Sequence, residues 1–191
     1  MTAKTGATIV TDVVSSRVEE IRHAFPSITI EWCQPHSAGI FRRIAIANIE
    51  SDFAKYRTNL ILLGHQMAIQ CEGIALALTR GIRRVISGFA GYQAGEYMEQ
   101  MPIAISVSRR LFKAYDLTFE TPIAGYESLD DVKFQLLDFG VTTKSLEAVS
   151  LFADSFSAPI EGAVEDYMMS KMQTCAAYIK LKTGIEADLN I

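Results

Sequence analysis

Arg57 and Asn59 stand just before an apolar run from Leu60 to Leu78 that has few charges and no proline. This pattern predicts a helix over residues 56–78, buried on most sides. A helix N-terminus offers free N–H groups and the positive end of the macrodipole, and arginine adds a fork of donors, so a phosphate or carboxylate could dock there. A helix cap beside a surface cation accounts for the same pair. Gly81 suits a helix C-cap, and residues 82–87 read as a short buried strand. That strand runs into Gly88-Phe89-Ala90-Gly91-Tyr92-Gln93-Ala94-Gly95-Glu96-Tyr97. Open α/β sheets hold ligands at the carboxyl ends of their strands, which makes Gly88, Gly91, Tyr92 and Gln93 candidate binding residues. Loops are rich in glycine in any case. His36 and His65 are the candidates for a general base near this crevice, each equally readable as a structural histidine, while His23 falls on a helix surface. No Ser-His-Asp or paired-carboxylate arrangement is recognisable, so no catalytic residue is assigned.

The elements that must position these residues follow from periodicity. Residues 7–10 read as a first strand, and a helix follows with Val18, Ile21 and Phe25 on its apolar side and capping-box spacing between Ser16 and Glu19. Pro26 closes it. Residues 27–32 alternate apolar and polar as a strand should, and Cys33-Gln34-Pro35-His36-Ser37 is a loop at its end. Residues 40–56 predict a helix carrying Ile44, Ile46 and Ile49. Beyond the glycine loop, Pro102 opens a helix through Ile103, Val107, Leu111 and Phe112. Residues 117–121 form a strand stopped by Pro122, and Ser128 caps a helix that Gly140 ends. This order predicts a single α/β domain over 1–191, with a parallel sheet of four to five strands and helices on both faces. A helical extension over about 144–191 carries Tyr167, Met168, Met172, Cys175 and Ile179, whose methionines suit a core or a partner contact.

Composition sets limits. With 191 residues, 49% hydrophobic and 21% charged, the chain can fill one core. A net charge of -4 argues against a nucleic-acid partner held on a broad basic face, and Arg80, Arg83 and Arg84 read as solvated surface. Cys33, Cys71 and Cys175 form no Cys-x-x-Cys pair, which fits neither a disulfide framework nor a zinc ribbon and suggests a reduced, cytoplasmic setting. No segment reads as a membrane span or a leader, so a soluble protein is expected.

Five segments in order resemble the 7-cyano-7-deazaguanine synthases, the queuosine-pathway branch of the PP-loop ATP pyrophosphatase superfamily. Tyr56-Arg57-Thr58-Asn59-Leu60 looks like the family's Pro-x-Arg-Asn-Leu, and Val85-Ile86-Ser87-Gly88 like its Ile-Val-Ile-Gly strand. Gly91-Tyr92-Gln93-Ala94-Gly95-Glu96-Tyr97 is similar to its Asp-x-Ser-Gly-Tyr-Pro-Asp-Cys segment. Trp32-Cys33-Gln34-Pro35-His36 looks like its Tyr-Gly-Gln-x-His, and Thr121-Pro122-Ile123 like its Thr-Pro-Leu. The resemblance implies a shortened adenine nucleotide alpha hydrolase-like fold, a purine-like or nucleotide ligand, a homo-oligomer, and Ser16, Gln34, His36, Arg57 and Asn59 among the binding residues.

Two family signatures are absent. Thr11-Asp12-Val13-Val14-Ser15-Ser16 replaces the phosphate-cradling Ser-Gly-Gly-x-Asp-Ser: both glycines are lost and Asp12 brings a like charge, while Ser16 alone keeps its type. Met169 and Met172 stand where the family has zinc cysteines, so zinc is not expected. The reading that follows is a non-catalytic, ligand- or partner-binding relative. In the alternative reading, an active synthase would need ATP and magnesium, adenylating a carboxylate that ammonia then attacks.

Overall fold

The computed structural model describes residues 8–9, 13–143, 149–150 and 160–189. Its centre is α4 (Ile61–Arg80), twenty residues ended by Gly81 in the left-handed region at φ 67°. At 1.5 Å per residue α4 is about 30 Å long. Leu63, Met67, Cys71 and Ile74 on it are fully buried, and each such side chain stabilises the fold by about 1.5–3 kcal/mol. By length and composition α4 would suit a membrane span, which the sequence reading denied to every segment. However, 67% of its most apolar window is buried inside the protein, as in a core helix.

Three helical pieces pack around α4: α5 (Pro102–Lys113), α7 (Glu161–Thr183) and the α2 unit (Ala38–Phe41) with its π-helical continuation over Arg42–Ile46. Pro102 occupies the first turn of α5, as expected. Residues 40–56, expected as one helix, are broken: α2 and the π turn are followed by a separate α3 (Ile49–Tyr56). Within the π turn, Ala47 N–H reaches back to Arg42 O at 2.8 Å. The turn packs Ala45 against Gly64, where a Cβ would lie 2.6 Å from Ala45 Cβ and 2.7 Å from the Tyr167 hydroxyl. Glycine at 64 is thus what lets the π turn and α7 close on α4.

The expected sheet of four to five parallel strands with helices on both faces is not formed. β2 (Arg84–Ile86) and β3 (Thr118–Glu120) are parallel neighbours, joined through α5, and each pairs with no further strand among the described residues. Val85 faces Phe119 on the packed side, while Arg84 and Ile86 are exposed, so β2 is not the buried strand expected. On the open side the Arg84 guanidinium grips Glu120 at 2.9 and 2.8 Å. β1 (Thr8–Ile9) pairs antiparallel with β4 (Val149–Ser150) in a separate ladder. Residues 27–32 join no ladder, and Ile30 O accepts instead from Arg22 Nε and Nη2 at 3.1 and 2.5 Å. Of the apolar alternation, Ile28 and Trp32 are exposed.

The remaining elements are α1 (Val13–Ala24) and α6 (Leu129–Asp138). Ser16 lies inside α1 rather than at its cap, so the expected capping box is not made. Ser128 does cap α6, accepting from Asp131 N–H at 3.2 Å, and Gly140 at φ 70° follows its end. On α7 the methionines take the core alternative: Tyr167, Met168 and Met172 are buried within the chain. Cys71 and Cys175 are likewise fully buried and hydrogen-bonded to each other across α4 and α7, whereas Cys33 is exposed.

Candidate functional site

A cleft of about 210 Å³ opens between α4 and the β2–β3 pair. Gln66, Ile69, Gln70 and Gly73 recur along α4 at i, i+3, i+4 and i+7 and form one wall. The opposite side is the end of β2 through Ser87, Gly88 and Phe89, with Phe112 from α5 and Phe119 from β3 at the back. Phe112 stacks on Phe119 at 4.6 Å between centroids, and Phe89 meets Phe119 edge-on at 6.2 Å. No residue lining this cleft carries a charge. Concave sites with apolar and aromatic walls and a few convergent polar groups are the usual form of small-molecule sites.

Gln70 supplies the buried polar group. It is 3% exposed, and its Nε2 donates to Ser108 Oγ at 2.8 Å. Ser108 donates in turn to Ala104 O at 2.8 Å. Gln70 Oε1 is buried without a hydrogen-bond partner.

The loop after β2 is held in place by Gln100, whose Oε1 accepts from Ala90 N–H at 2.7 Å and whose Nε2 donates to Gln93 Oε1 at 3.1 Å. A Cβ at Gly91 would lie 2.2 Å from Ala124 O, so glycine there serves the close approach of two backbones. Gly88 therefore lines the cleft, while Gly91, Tyr92 and Gln93 form a 3₁₀ turn beyond it and support the loop.

The other candidates lie elsewhere. Asn59 lines a separate cavity of only about 20 Å³ with Asp52, Thr58 and Tyr167, which shares no residue with the cleft. Its Oδ1 accepts from Ile61 N–H at 3.1 Å, the capping reading of this residue. Arg57 is exposed and ends α3 in the left-handed region at φ 58°. Beside them Lys171 of α7 holds Asp52 of α3 at 2.7 Å, both largely shielded. Gln34 is half-buried and His36 exposed in the segment before α2, Ser16 is exposed on α1, and none of the three lines either cavity. Val13 to Ser16 are helical rather than a phosphate loop, and the part of that comparison on Thr11 and Asp12 lies outside the described residues. The His65 ring packs edge-on to Phe41, and burial pushes its imidazole below the usual range.

No protein-family model, curated protein or solved structure matches the chain. The site must be read from its own geometry. Among the described residues no group of three or more His, Cys, Asp or Glu side chains is arranged to hold a metal ion. The residues missed by sequence reasoning are Gln66, Gln70, Phe112 and Phe119, with Ser108 behind them. A signal was present: two glutamines at i, i+4 and a glycine three residues on, along one side of an otherwise apolar helix.

Proposed function

We propose that this chain is a non-catalytic binding protein, a divergent relative of the 7-cyano-7-deazaguanine synthases that takes a flat purine-like base, free or as part of a nucleotide, in the cleft between α4 and the β2–β3 pair. The observation that carries this reading is the uncharged, phenylalanine-walled cleft at the end of β2, on which Gly88 lies. Two further points support it. Val85 and Ile86, from one segment of the resemblance, lie on a strand parallel to the one that runs into Thr121-Pro122, from another. The glycines of an ATP-cradling loop are missing from the N-terminal segment. ATP and magnesium belong only to the synthase alternative, and zinc to neither.

The homo-oligomer is kept as a proposal on a new surface. Leu129, Phe134 and Leu137 of α6 are 49%, 65% and 58% exposed, an apolar face suited to a second copy.

The test of binding is a melting series with AMP, ATP, GTP and 7-deazapurine bases. A ligand at a hundred times its Kd adds about 2.7 kcal/mol of stability, and each kcal/mol is about 2–4 °C for a chain of this size. A shift with the bases, weakened by Phe112→Ala, is the expected result. No shift with any of them would sink the reading. AMP release from Mg-ATP with 7-carboxy-7-deazaguanine and ammonia would restore the synthase instead.

A further inference from the structure

Arg109 stands beside the cleft without lining it, and three placements fix where its guanidinium lies. On α5 it sits one turn before Phe112, and side chains at i and i+3 of a helix are neighbours, about 5–6 Å apart at Cβ. Its Nη2 donates to Thr121 Oγ1 at 3.2 Å. Thr121 is two positions beyond Phe119 on the same face of the chain, and Ser87 N–H donates to Glu120 O at 2.9 Å, which brings Thr121 alongside Ser87. Phe112, Phe119 and Ser87 all line the cleft. The guanidinium therefore stands at the rim, at the carboxyl ends of β2 and β3, where parallel strands present their ligands.

Among the described residues no carboxylate pairs with this cation. Arg109 is exposed, and its hydrogen-bond partner there is Thr121. Glu120, next in sequence to Thr121, is turned to the opposite face and held there by Arg84 at 2.9 and 2.8 Å. A guanidinium carries further N–H donors beyond the one used, and Thr121, accepting through Oγ1, keeps its own hydroxyl hydrogen to donate. An arginine fork beside a hydroxyl suits a phosphate. The lining of the cleft carries no charge and disfavours an anion within it, so ring and phosphate divide between cleft and rim.

We infer that Arg109, with Thr121 beside it, is the anion-binding residue of the cleft, and that the ligand taken there is a purine-type mononucleotide rather than the free base or nucleoside. This rests on the cleft being the ligand site proposed above and adds the charged group that lies outside it.

The experiment titrates the full chain with AMP against adenosine and with IMP against inosine, pairs that differ only in the phosphate. Calorimetry gives the affinities, while the amide signals of Ser87 and Gly88 report the ring and that of Thr121 the phosphate. Each nucleotide is expected to bind about tenfold more tightly than its nucleoside, and the ratio narrows as salt is added. In Arg109→Gln the ratio falls to about one while the nucleoside affinity stays. Arg109→Lys keeps the charge without the fork and recovers part of the preference. Arg110→Gln removes the same charge one residue on, beside a different cavity, and leaves the ratio unchanged. Equal affinities within each pair, with the Ser87 and Gly88 amides moving for both members, would overturn the role of Arg109 and leave the cleft as a binding site. So would a preference that survives Arg109→Gln, or an equal loss in Arg110→Gln, which marks a general field rather than a site. If no member of either pair moves these amides at millimolar concentration, the binding site itself falls, and this inference with it.

Discussion

A hydrogen replaced by a methyl group at Gly64 tests how tightly three elements close on one point. The new carbon would meet Ala45 Cβ at 2.6 Å and Ala45 Cα at 3.2 Å, neither of them a flexible chain end. Overpacking of this kind costs about 1–3 kcal/mol, while alanine returns about 1 kcal/mol in helix propensity. Gly64→Ala should therefore lower stability by up to about 2 kcal/mol in a urea titration, with part regained in the Tyr167→Phe background; a raised midpoint would show slack in this contact. Glu99 offers a pH test. Its Oε2 is buried without a hydrogen-bond partner, and burial pushes the carboxyl above its ordinary 4.5. Below 4.5 folded and unfolded chains are both protonated and the residue contributes nothing. Above it the unfolded chain releases the proton first, so stability falls with rising pH until the folded carboxyl has ionised too. Glu99→Gln should raise the melting midpoint at neutral pH and leave it unchanged near pH 4, and the opposite pattern would mean the carboxylate has a stabilising partner.

α6 is loosely tied to the rest. None of its residues is fully buried, and its order depends on local signals: the Ser128 cap, Asp130 and Asp131 in the first turn, and Gly140 beyond the end. Ser128→Ala should cost this helix about 1 kcal/mol, a roughly fivefold faster amide exchange over Leu129–Asp138, with the global midpoint unmoved. A drop in that midpoint would show that α6 unfolds with the core. The same local signals explain which elements were legible in the sequence. Pro102, Ser128, Gly81 and Gly140 each act within a turn, and α4 is apolar enough to be recognised alone. The sheet was not legible, because the alternation of Ile28, Ile30 and Trp32 says only that the segment is extended. In the fold Ile30 O is taken by Arg22, eight residues earlier, rather than by a neighbouring strand. Of the site, Gly88 was legible from its place after a strand. Gln70 was not, since its meaning depends on Ser108, 38 residues away on another helix.

At the scale of the whole molecule, the exposed Leu129, Phe134 and Leu137 imply that one chain does not cover all its apolar surface. Light scattering at micromolar concentration should give about twice the 21.1 kDa chain mass, and Phe134→Glu should return it to one chain. A single-chain mass for the unaltered protein would remove the homo-oligomer. The thiols sealed between α4 and α7 have a different consequence, one of timing. Only a thiolate attacks a disulfide reagent, and the Cys175 thiol beside Cys71, together with burial, pushes Cys71 well above the usual thiol range. Exposed Cys33 is free to react at once, while Cys71 and Cys175 must wait for the two helices to part. The chain thus carries its own clock: one fast labelling event that counts molecules, then two slow ones whose rate measures how often the centre opens.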